Sequence, residues 1–173
     1  VAMNEIWKVT VKPVNEHAYV LDLWTTLSTP LDGGITLEKY RYGGGLGYRG
    51  TERWWPGNAT VLTSEGKTWS DADATHARWV RIEGESSVPQ GRSGILFLSH
   101  PDNRSHPEPM RMWPPNSNGG KENMFFEFCP IRHQPWVLEP GKEYVLKYRM
   151  VVFDGALDQE EAEAYWKDYT HTP

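Results

Sequence analysis

The residues best suited to proton transfer follow a single apolar run. Residues 94–98 are apolar and lead directly into a proline-rich segment that contains His100, His106 and Glu108. A histidine exchanges protons near neutral pH with little perturbation, and a carboxyl group can be its acid or base partner. Either histidine could act with Glu108, and we predict His100 and Glu108 as the catalytic pair. The alternative is that these groups only satisfy the backbone of the loop.

The same side chains do not form a recognisable metal site. The spacing of His100, His106 and Glu108 matches no common zinc motif, and no helix presents the two imidazoles on one face. Residues 64–79 alternate carboxylates, but they lack the glycine and the terminal glutamate of a calcium-binding loop. We therefore predict no metal and no cofactor.

A second polar pattern combines arginines with a glycine-rich bend. Arg41 and Arg49 flank the segment YGGGLGY. The planar guanidinium group suits carboxylates and sugar hydroxyls, so these side chains are candidates to bind a substrate on a concave sheet face. No Gly-Lys-Ser/Thr and no helix follow Gly50, which excludes a phosphate loop. A purely structural alternative is a tight corner where side chains would clash.

The chain is rich in tryptophan, with nine in 173 residues. Trp54 and Trp55 lie in the first of two stretches predicted to be long and irregular, at 43–74, and Trp113 lies in the second, at 101–123. Long loops in compact domains often carry function, and indole rings suit the apolar faces of sugars. The alternative for most of these residues is packing in the core or anchoring of loops.

Residues 7–12 and 19–27 alternate between apolar and polar residues with a period of two, which is typical of strands with one buried face. Further strands, bounded by Gly, Pro, Asn or Asp, are predicted at residues 35–42, 76–83, 94–100, 124–128 and 144–153. Turn residues separate them and no helical crossovers intervene. We therefore predict one all-β domain over residues 1–173, an antiparallel β-sandwich.

One short helix is predicted near the end of the chain. Asp158 can cap a run of helix-forming residues at 159–166, whose first turn is acidic. Ala162, Tyr165 and Trp166 then lie where they can dock on the sheet.

The composition argues against two classes of partner. The formal net charge is −5 and the pI is near 5.7, whereas proteins that bind nucleic acids use clustered lysine and arginine. No apolar run approaches the ~20 residues that cross a bilayer. We predict a soluble protein without a nucleic-acid or membrane partner. The single cysteine, Cys129, excludes an internal disulfide and is compatible with either side of a bacterial inner membrane.

Four segments together resemble a bacterial family known as PmoA-like, which carries the name methane oxygenase. They are KYRYGGGLGYRG, SEGKTWSDADATHARWV, GILFLSHPDNRSHPEPMRMWP and EPGKEYVLKYRMVVFDG, and the resemblance runs in order from Trp24 to Tyr169. It implies a β-sandwich of the galactose-mutarotase-like type and a role alongside carbohydrate catabolism. The name itself finds no support, because a membrane-bound methane oxygenase subunit needs several membrane-spanning helices.

The resemblance also selects residues. Those that align with the family's polar pattern are Arg41, Arg49, Asp73, Arg78, His100, Asn103 and Arg111. We predict that the substrate is bound by the members of this set other than His100, together with Trp54, Trp55 and His106. Asp73 and Arg78 are also expected to order a turn with each other.

Members of the PmoA-like family are longer and carry a histidine-rich N-terminal half, which residues 1–23 do not match. The chain is therefore expected to correspond to the C-terminal portion, so that the galactose-mutarotase-like sandwich would be partial. Exposed sheet edges would then be covered by a partner chain or by a second copy.

Three functions remain open at this point. The first is a sugar-active enzyme, a hydrolase, lyase or epimerase that uses the concave sheet face. The second is a non-catalytic module that binds carbohydrate or protein with the same arginines and tryptophans, and the third is a structural half of a larger sandwich. The first two require a small-molecule, oligosaccharide or protein ligand, and fold analogy alone does not choose between them.

Overall fold

Six antiparallel strands form the largest sheet of the computed structural model, which describes residues 1–117 and 124–171. In chain order the elements are β1 (Asn4–Asn15), β2 (Ala18–Ser28), β3 (Ile35–Leu37), β4 (Gly47–Arg49), β5 (Ala59–Thr63), β6 (His76–Ala77), β7 (Trp79–Glu85), β8 (Arg92–Ser99), β9 (Glu108–Met112), β10 (Phe125–Phe128), β11 (Trp136–Leu138), β12 (Tyr144–Asp154) and α1 (Gln159–Thr170). The large sheet has the order β1-β2-β12-β8-β7-β5, the small sheet has the order β4-β10-β9-β6, and β11 pairs with β3. The prediction of an all-β antiparallel sandwich with a C-terminal helix is confirmed.

The main core lies between the large and small sheets. Leu146 and Tyr148 of β12 point into it from one side, and Phe126 and Phe128 of β10 point into it from the other. On the opposite face of β12, Val151 belongs to a second apolar cluster that lies under α1. Central strands are therefore buried on both faces, and the two clusters follow the period of two along each strand.

Helix α1 covers the outer face of the large sheet. Asp158 accepts a hydrogen bond from the backbone of Glu161, whose side chain accepts one from the backbone of Asp158, which completes a capping box. Ala162 is buried, and Tyr165 and Trp166 pack against the second cluster, as the sequence predicts. Within the described ranges no helix is long and apolar enough to cross a membrane.

Several predicted boundaries are wrong. The strand predicted at 35–42 ends at Leu37, and the two stretches predicted to be irregular contain β4, β5 and β9. The missed strands are short, and Pro109 interrupts the alternation in β9. The end of the second stretch, 118–123, lies outside the described residues.

The strand predicted at 76–83 is in fact two strands in different sheets. β6 pairs with β9 in the small sheet, and β7 pairs with β5 and β8 in the large sheet. The chain passes from one sheet to the other at Arg78. This crossing joins the two layers beside α1.

Strand β1 forms one edge of the large sheet and pairs only with β2. It is exposed along nearly its whole length, including the apolar side chains Trp7, Val9 and Val11. An edge of this kind is what a partner chain or second copy would need. The predicted partner stays a prediction.

Candidate functional site

The predicted site residues fall into four separate parts of the fold. Arg41, Arg49, Asp73 and Arg111 belong to the outer face of the small sheet, while His100, Asn103, His106 and Glu108 belong to β9 and the loop before it. Arg78 lies against α1, and Trp54 and Trp55 lie beside β5 and β7. The single site expected from the sequence is thus divided, and each part has different chemistry.

Glu108 is fully buried between the sheets, at the start of β9. Tyr148 donates a hydrogen bond to its Oε1 at 2.8 Å, and Asn103 Nδ2 donates to its Oε2 at 3.0 Å. Ser99 Oγ makes a third, very short hydrogen bond to Oε2. Burial raises the pKa of Glu108 to about 7, although these hydrogen bonds oppose the shift. Hydrogen-bond donors from the protein surround this carboxyl group. The predicted catalytic role of Glu108 stays a prediction.

Asn103 fixes the loop that precedes β9. Its Nδ2 donates to the carbonyl of Lys147 at 2.8 Å, and its Oδ1 accepts from the backbone N–H of Lys147 at 2.7 Å. The side chain is 4% exposed. Asn103 therefore ties the loop to β12 and orients the buried carboxyl group of Glu108, and its predicted contact with a substrate stays a prediction.

His100 is packed beneath α1. It is 8% exposed, its Nδ1 accepts from the backbone N–H of Asp102 at 3.2 Å, and its ring lies edge-on to Tyr169 at 5.3 Å. Burial lowers the pKa of His100 and favours the neutral imidazole. The ring thus faces the helix, and its predicted catalytic role stays a prediction.

A cleft of about 380 Å³ opens beside β6 and β9. We call it the histidine cleft, and its wall includes His76, Ser105, His106, Pro109, His133 and Gln134. The rings of His76 and His133 stack at 5.5 Å. Burial and neighbouring positive groups lower the pKa values of His106 and His133. The cleft therefore offers neutral imidazoles, which can accept hydrogen bonds from hydroxyl groups.

His106 connects the histidine cleft to the buried carboxyl group. Its Nδ1 lies 3.4 Å from Ser99 Oγ, which in turn donates to Glu108. The His106 ring also stacks on Trp166 of α1 at 6.1 Å. The imidazole of His106, which can accept a proton at the cleft, is thus connected through the hydroxyl of Ser99 to the carboxyl group of Glu108, whose pKa is about 7.

The outer face of the small sheet carries arginines and aromatic rings. Arg49 on β4 lies opposite Phe125 on β10, and Arg111 on β9 lies opposite Glu127 on β10. Their neighbours along each strand point into the core, so alternation alone brings these side chains to one surface. We call this surface the arginine face, formed by Arg41, Tyr42, Arg49, Arg111, Trp113 and Phe125.

Aromatic rings support the guanidinium groups of the arginine face. Arg49 lies 4.7 Å above the ring of Trp113 and Arg41 lies 5.4 Å above the ring of Tyr42. Trp113 Nε1 donates to the hydroxyl of Tyr42 at 2.9 Å, which fixes the two rings relative to each other. Such stacking leaves the N–H groups at the edge of a guanidinium available to a ligand.

The glycine-rich bend delivers Arg41 and Arg49 to this face. Gly45 has a φ of 102°, and a Cβ there would collide with the carbonyl oxygen of Phe128. The interpretation as a tight corner is therefore confirmed. The close approach of the bend to β10 brings β4, and with it Arg49, into the small sheet. The tight corner and a functional role of the arginines are therefore compatible interpretations.

Asp73 forms the ion pair that holds Arg111 in place on the arginine face. Its carboxylate pairs with Arg111 Nη1 at 2.6 Å and with Arg132 Nη1 at 3.2 Å, and it accepts from the backbone of Met112 at 3.1 Å. Although burial acts to raise it, these hydrogen bonds and charges hold the pKa of Asp73 below its ordinary value. The expected turn with Arg78 is wrong, because Asp73 binds arginines from β9 and from the segment after β10.

Glu127 lies in the middle of the small sheet, opposite Arg111. It is 9% exposed, and burial raises its pKa to about 7, while the Cys129 thiol and the charge of Arg132 oppose that shift. Burial also raises the pKa of Cys129 to about 12, which keeps it a neutral thiol. Glu127 consequently carries only part of its negative charge at neutral pH.

Arg78 belongs to the interface between the large sheet and α1. Its Nη1 pairs with Glu163 at 2.7 Å, and its guanidinium lies 4.7 Å above the ring of Trp166. Trp79 donates to the other oxygen of Glu163 at 2.9 Å. These contacts hold the helix on the sheet, and they leave Arg78 apart from the arginine face.

Trp54 and Trp55 have different environments. Trp54 is 5% exposed, packs in the main core and donates to the carbonyl of Glu85 at 3.0 Å. Core packing, the alternative interpretation, therefore holds for Trp54, whose ring is not available for stacking on a sugar. Trp55 is 49% exposed, and its predicted role stays a prediction.

In residues 1–117 and 124–171, no group of at least three His, Cys, Asp or Glu side chains is arranged to hold a metal ion.

A comparison with known protein families covers nearly the whole chain. The model of a family of unknown function, DUF6807, matches residues 1–167. The chain belongs to this family. The match spans all of the strands and most of α1, so both surfaces lie within the DUF6807 domain. No curated protein and no solved structure matches the chain.

Sequence reasoning missed several residues of the two surfaces of the DUF6807 domain. Among them are Tyr42, Glu127 and Arg132 at the arginine face and His76 and His133 in the histidine cleft. The segment FFEF offered a signal for Glu127, because alternation in a strand puts it on the same side as Phe125. Tyr42 adjoins Arg41 in the motif already singled out, but nothing local indicates that Arg132 binds Asp73.

Proposed function

We propose that this DUF6807 protein binds a carbohydrate across the arginine face and the histidine cleft. The observation that carries the proposal is the gathering of Arg41, Arg49 and Arg111 with aromatic rings on one surface. Arg41 and Arg49 are candidates from their residue type and pattern, and Arg111 is a candidate from the resemblance. We also propose that the protein is PmoA-like, with a galactose-mutarotase-like sandwich. That part rests on the four sequence segments.

The two surfaces supply complementary hydrogen-bonding groups. A sugar hydroxyl both donates and accepts, and it is best recognised where donors and acceptors lie side by side. Guanidinium groups such as Arg49 act only as donors, whereas the neutral imidazoles of His106 and His133 can accept. Together with the exposed ring of Tyr40, which lies 5.7 Å from Tyr42, this combination fits a polyhydroxylated ring better than a purely apolar ligand.

The cleft and the arginine face are continuous along β9. Pro109 lines the cleft and pairs with His76, and Arg111 lies two residues further along the same face of the strand. His133 of the cleft directly follows Arg132, which is bound to Asp73. The combined surface can therefore hold more than one sugar ring.

The proposal is tested by calorimetric titration of the 173-residue chain with hits from a glycan array. We expect Trp113→Ala to weaken binding about tenfold, because Trp113 supports Arg49 and orients Tyr42. Trp7→Ala is the matched control, an exposed tryptophan on strand β1 of the large sheet, and we expect it to bind normally. If Trp7→Ala abolished binding and Trp113→Ala did not, the ligand would lie elsewhere. An absence of binding to any glycan would overturn the proposal itself.

A second candidate function, sugar-active catalysis, is favoured by one specific observation. His106 connects the cleft to Glu108 through Ser99, with a carboxyl group that can exchange a proton near neutral pH. In an enzyme of this kind, His106 would act as the base or acid at the substrate, and Glu108 would be a positioning and proton-sharing partner.

Turnover and binding measured on the same glycan separate the two candidates. An enzyme would form product, and His106→Gln would lower kcat at least about 100-fold with little change in KM. Loss of turnover on His100→Gln alone would instead support the pair predicted from the sequence. Saturable binding without product would indicate a non-catalytic module.

A further inference from the structure

The arginine face is positively charged in a protein whose formal net charge is −5. The guanidinium groups at this surface are those of Arg41, Arg49, Arg111 and Arg132, and the carboxyl groups beside them are those of Asp73 and Glu127. An excess of one sign of charge on one side of an oppositely charged protein attracts ligands of the other sign.

The two carboxyl groups do not neutralise all of these arginines. Asp73 is engaged by Arg111 and Arg132 at once, at 2.6 Å and 3.2 Å. In the part of the chain that the structure describes, neither Arg41 nor Arg49 forms an ion pair, and both guanidinium groups lie over aromatic rings. Among the described residues, these two guanidinium groups are thus held in place without a counter-charge.

A second observation concerns the carboxylate of Asp73. It already accepts from Arg111 Nη1 at 2.6 Å and from the backbone of Met112 at 3.1 Å, and it pairs with Arg132 Nη1 at 3.2 Å. Its acceptor capacity is therefore used by the buried side of the face. Arg41 and Arg49 keep exposed N–H groups for an acceptor from solution, as in sites for anionic groups.

We propose that the carbohydrate ligand carries an anionic substituent, a carboxylate or a sulfate ester, which Arg49 and Arg41 bind. This inference rests on the proposed function, because it takes the ligand to be a sugar. The uncharged part of the ligand lies toward the histidine cleft. Both substituents present oxygens that match the edge of a guanidinium, and uronic acids and sulfated sugars share this chemistry.

The test is calorimetric titration of the 173-residue chain with matched oligosaccharides of equal length. One is built of hexuronic acids, one of sulfated hexoses and one of the corresponding neutral hexoses. We expect at least one acidic ligand to bind about tenfold or more tightly than the neutral one, with an advantage that shrinks as salt is raised. The uronic and sulfated arms decide which substituent is bound.

Arg49→Gln is the decisive variant, because it removes charge at an exposed side chain that makes no ion pair within the described residues. We expect it to weaken binding of the acidic ligand about tenfold to a hundredfold, and to weaken binding of the neutral ligand several-fold less, because the neutral ligand loses a hydrogen bond but no charge pairing. Arg49→Lys should recover part of the loss. Lys12→Gln on the exposed edge β1 removes the same charge elsewhere and should change nothing.

Each outcome decides the inference. Equal affinity for acidic and neutral sugars would overturn it and leave the proposed function intact. Binding to no sugar would overturn both. If a simple polyanion such as pyrophosphate bound as tightly as the acidic sugar, the face would be an anion site without a sugar-specific role, which would also overturn the inference.

Discussion

The outer face of the large sheet and the outer face of the small sheet both carry arginines, but α1 covers only the first. Under the helix, Arg149 donates to both carboxylate oxygens of Asp22 at 2.6 Å and 3.0 Å, and Arg78 pairs with Glu163. On the arginine face, Arg41 and Arg49 lie on aromatic rings without an acidic partner in the described ranges. One residue type thus serves two purposes in one small fold.

The two sets of arginines differ in what compensates the cost of removing each guanidinium group from water. A buried arginine needs a carboxylate and several acceptors, because desolvation of the unpaired charge is costly. An exposed arginine on a ring keeps most of its hydration and can exchange water for a ligand. We therefore expect the covered arginines to matter for stability and the open ones to matter for binding.

Arg149→Ala should have the largest effect on stability of the changes considered. Its side chain is 8% exposed and that of Asp22 is 14% exposed, so the variant leaves a largely buried carboxylate without its partner. We expect a loss of about 3–5 kcal/mol in the free energy of unfolding. Urea denaturation followed by tryptophan fluorescence measures it.

The control for this prediction removes both charges. Arg149→Met combined with Asp22→Leu should lose much less stability than Arg149→Ala alone, because no buried charge is left unpaired. A loss below about 1 kcal/mol for Arg149→Ala would show that the covered pair is not structural, and the contrast between the two faces would fail.

Glu108 lies in the core that both sheets share and gives the next largest effect. Its folded pKa of about 7 exceeds the ordinary value of 4.5, so the unfolded chain releases this proton at lower pH. The stability contributed by the protonated form is full below about pH 4.5 and is lost as pH rises toward 7, by about 3 kcal/mol.

The measurement compares urea unfolding of the unmodified chain and of Glu108→Gln at about pH 5 and about pH 8. The variant should lose most of this pH dependence, whatever its absolute stability. Glu127 remains in both proteins, so its own raised pKa cancels in the comparison. Parallel pH profiles would mean that Glu108 titrates near its ordinary pKa or that its carboxyl group is hydrated.

The sequence predicts the fold far better than the pairing of its charges. The prediction of strands at β2, β8 and β12 is confirmed, because these strands are long and rich in apolar residues. The local pattern fails in β9, where Glu108 and Pro109 interrupt the alternation, and in β4, which has three residues. Short strands owe their existence to the neighbours they pair with, which a local pattern does not contain.

The candidate site shows the same limit of prediction from local sequence patterns even more clearly. Residue type and pattern were enough to select Arg41 and Arg49 as ligand-binding candidates, the resemblance added Arg111, and the three lie on one surface. The ion pair of Asp73 joins residues 38 apart in the chain, whereas its expected partner, Arg78, was only five residues away. Local proximity is a poor guide in a sandwich, because successive segments pass to different sheets.

The capping box of α1 controls how firmly the large sheet is covered, and its effect should be smaller. Asp158→Ala removes the side-chain acceptor for the backbone N–H of Glu161 and should cost about 1 kcal/mol of unfolding free energy. Hydrogen exchange should accelerate in α1 before it does in β8. Asp158→Ser keeps a capping oxygen and should restore most of the loss. Equal destabilisation by both variants would mean that the cap is not the cause.

The smallest effect on stability is expected on the open face. Arg49→Gln removes only an exposed guanidinium stacked on Trp113, a contact worth about 0.5 kcal/mol, yet the same variant should lose most of its affinity for an acidic sugar. Thermal unfolding and titration of one preparation give both values. A stability loss well above that of Asp158→Ala would show that Arg49 holds the small sheet together. The open arginine would then be as structural as the covered ones, and the two faces would differ only in exposure.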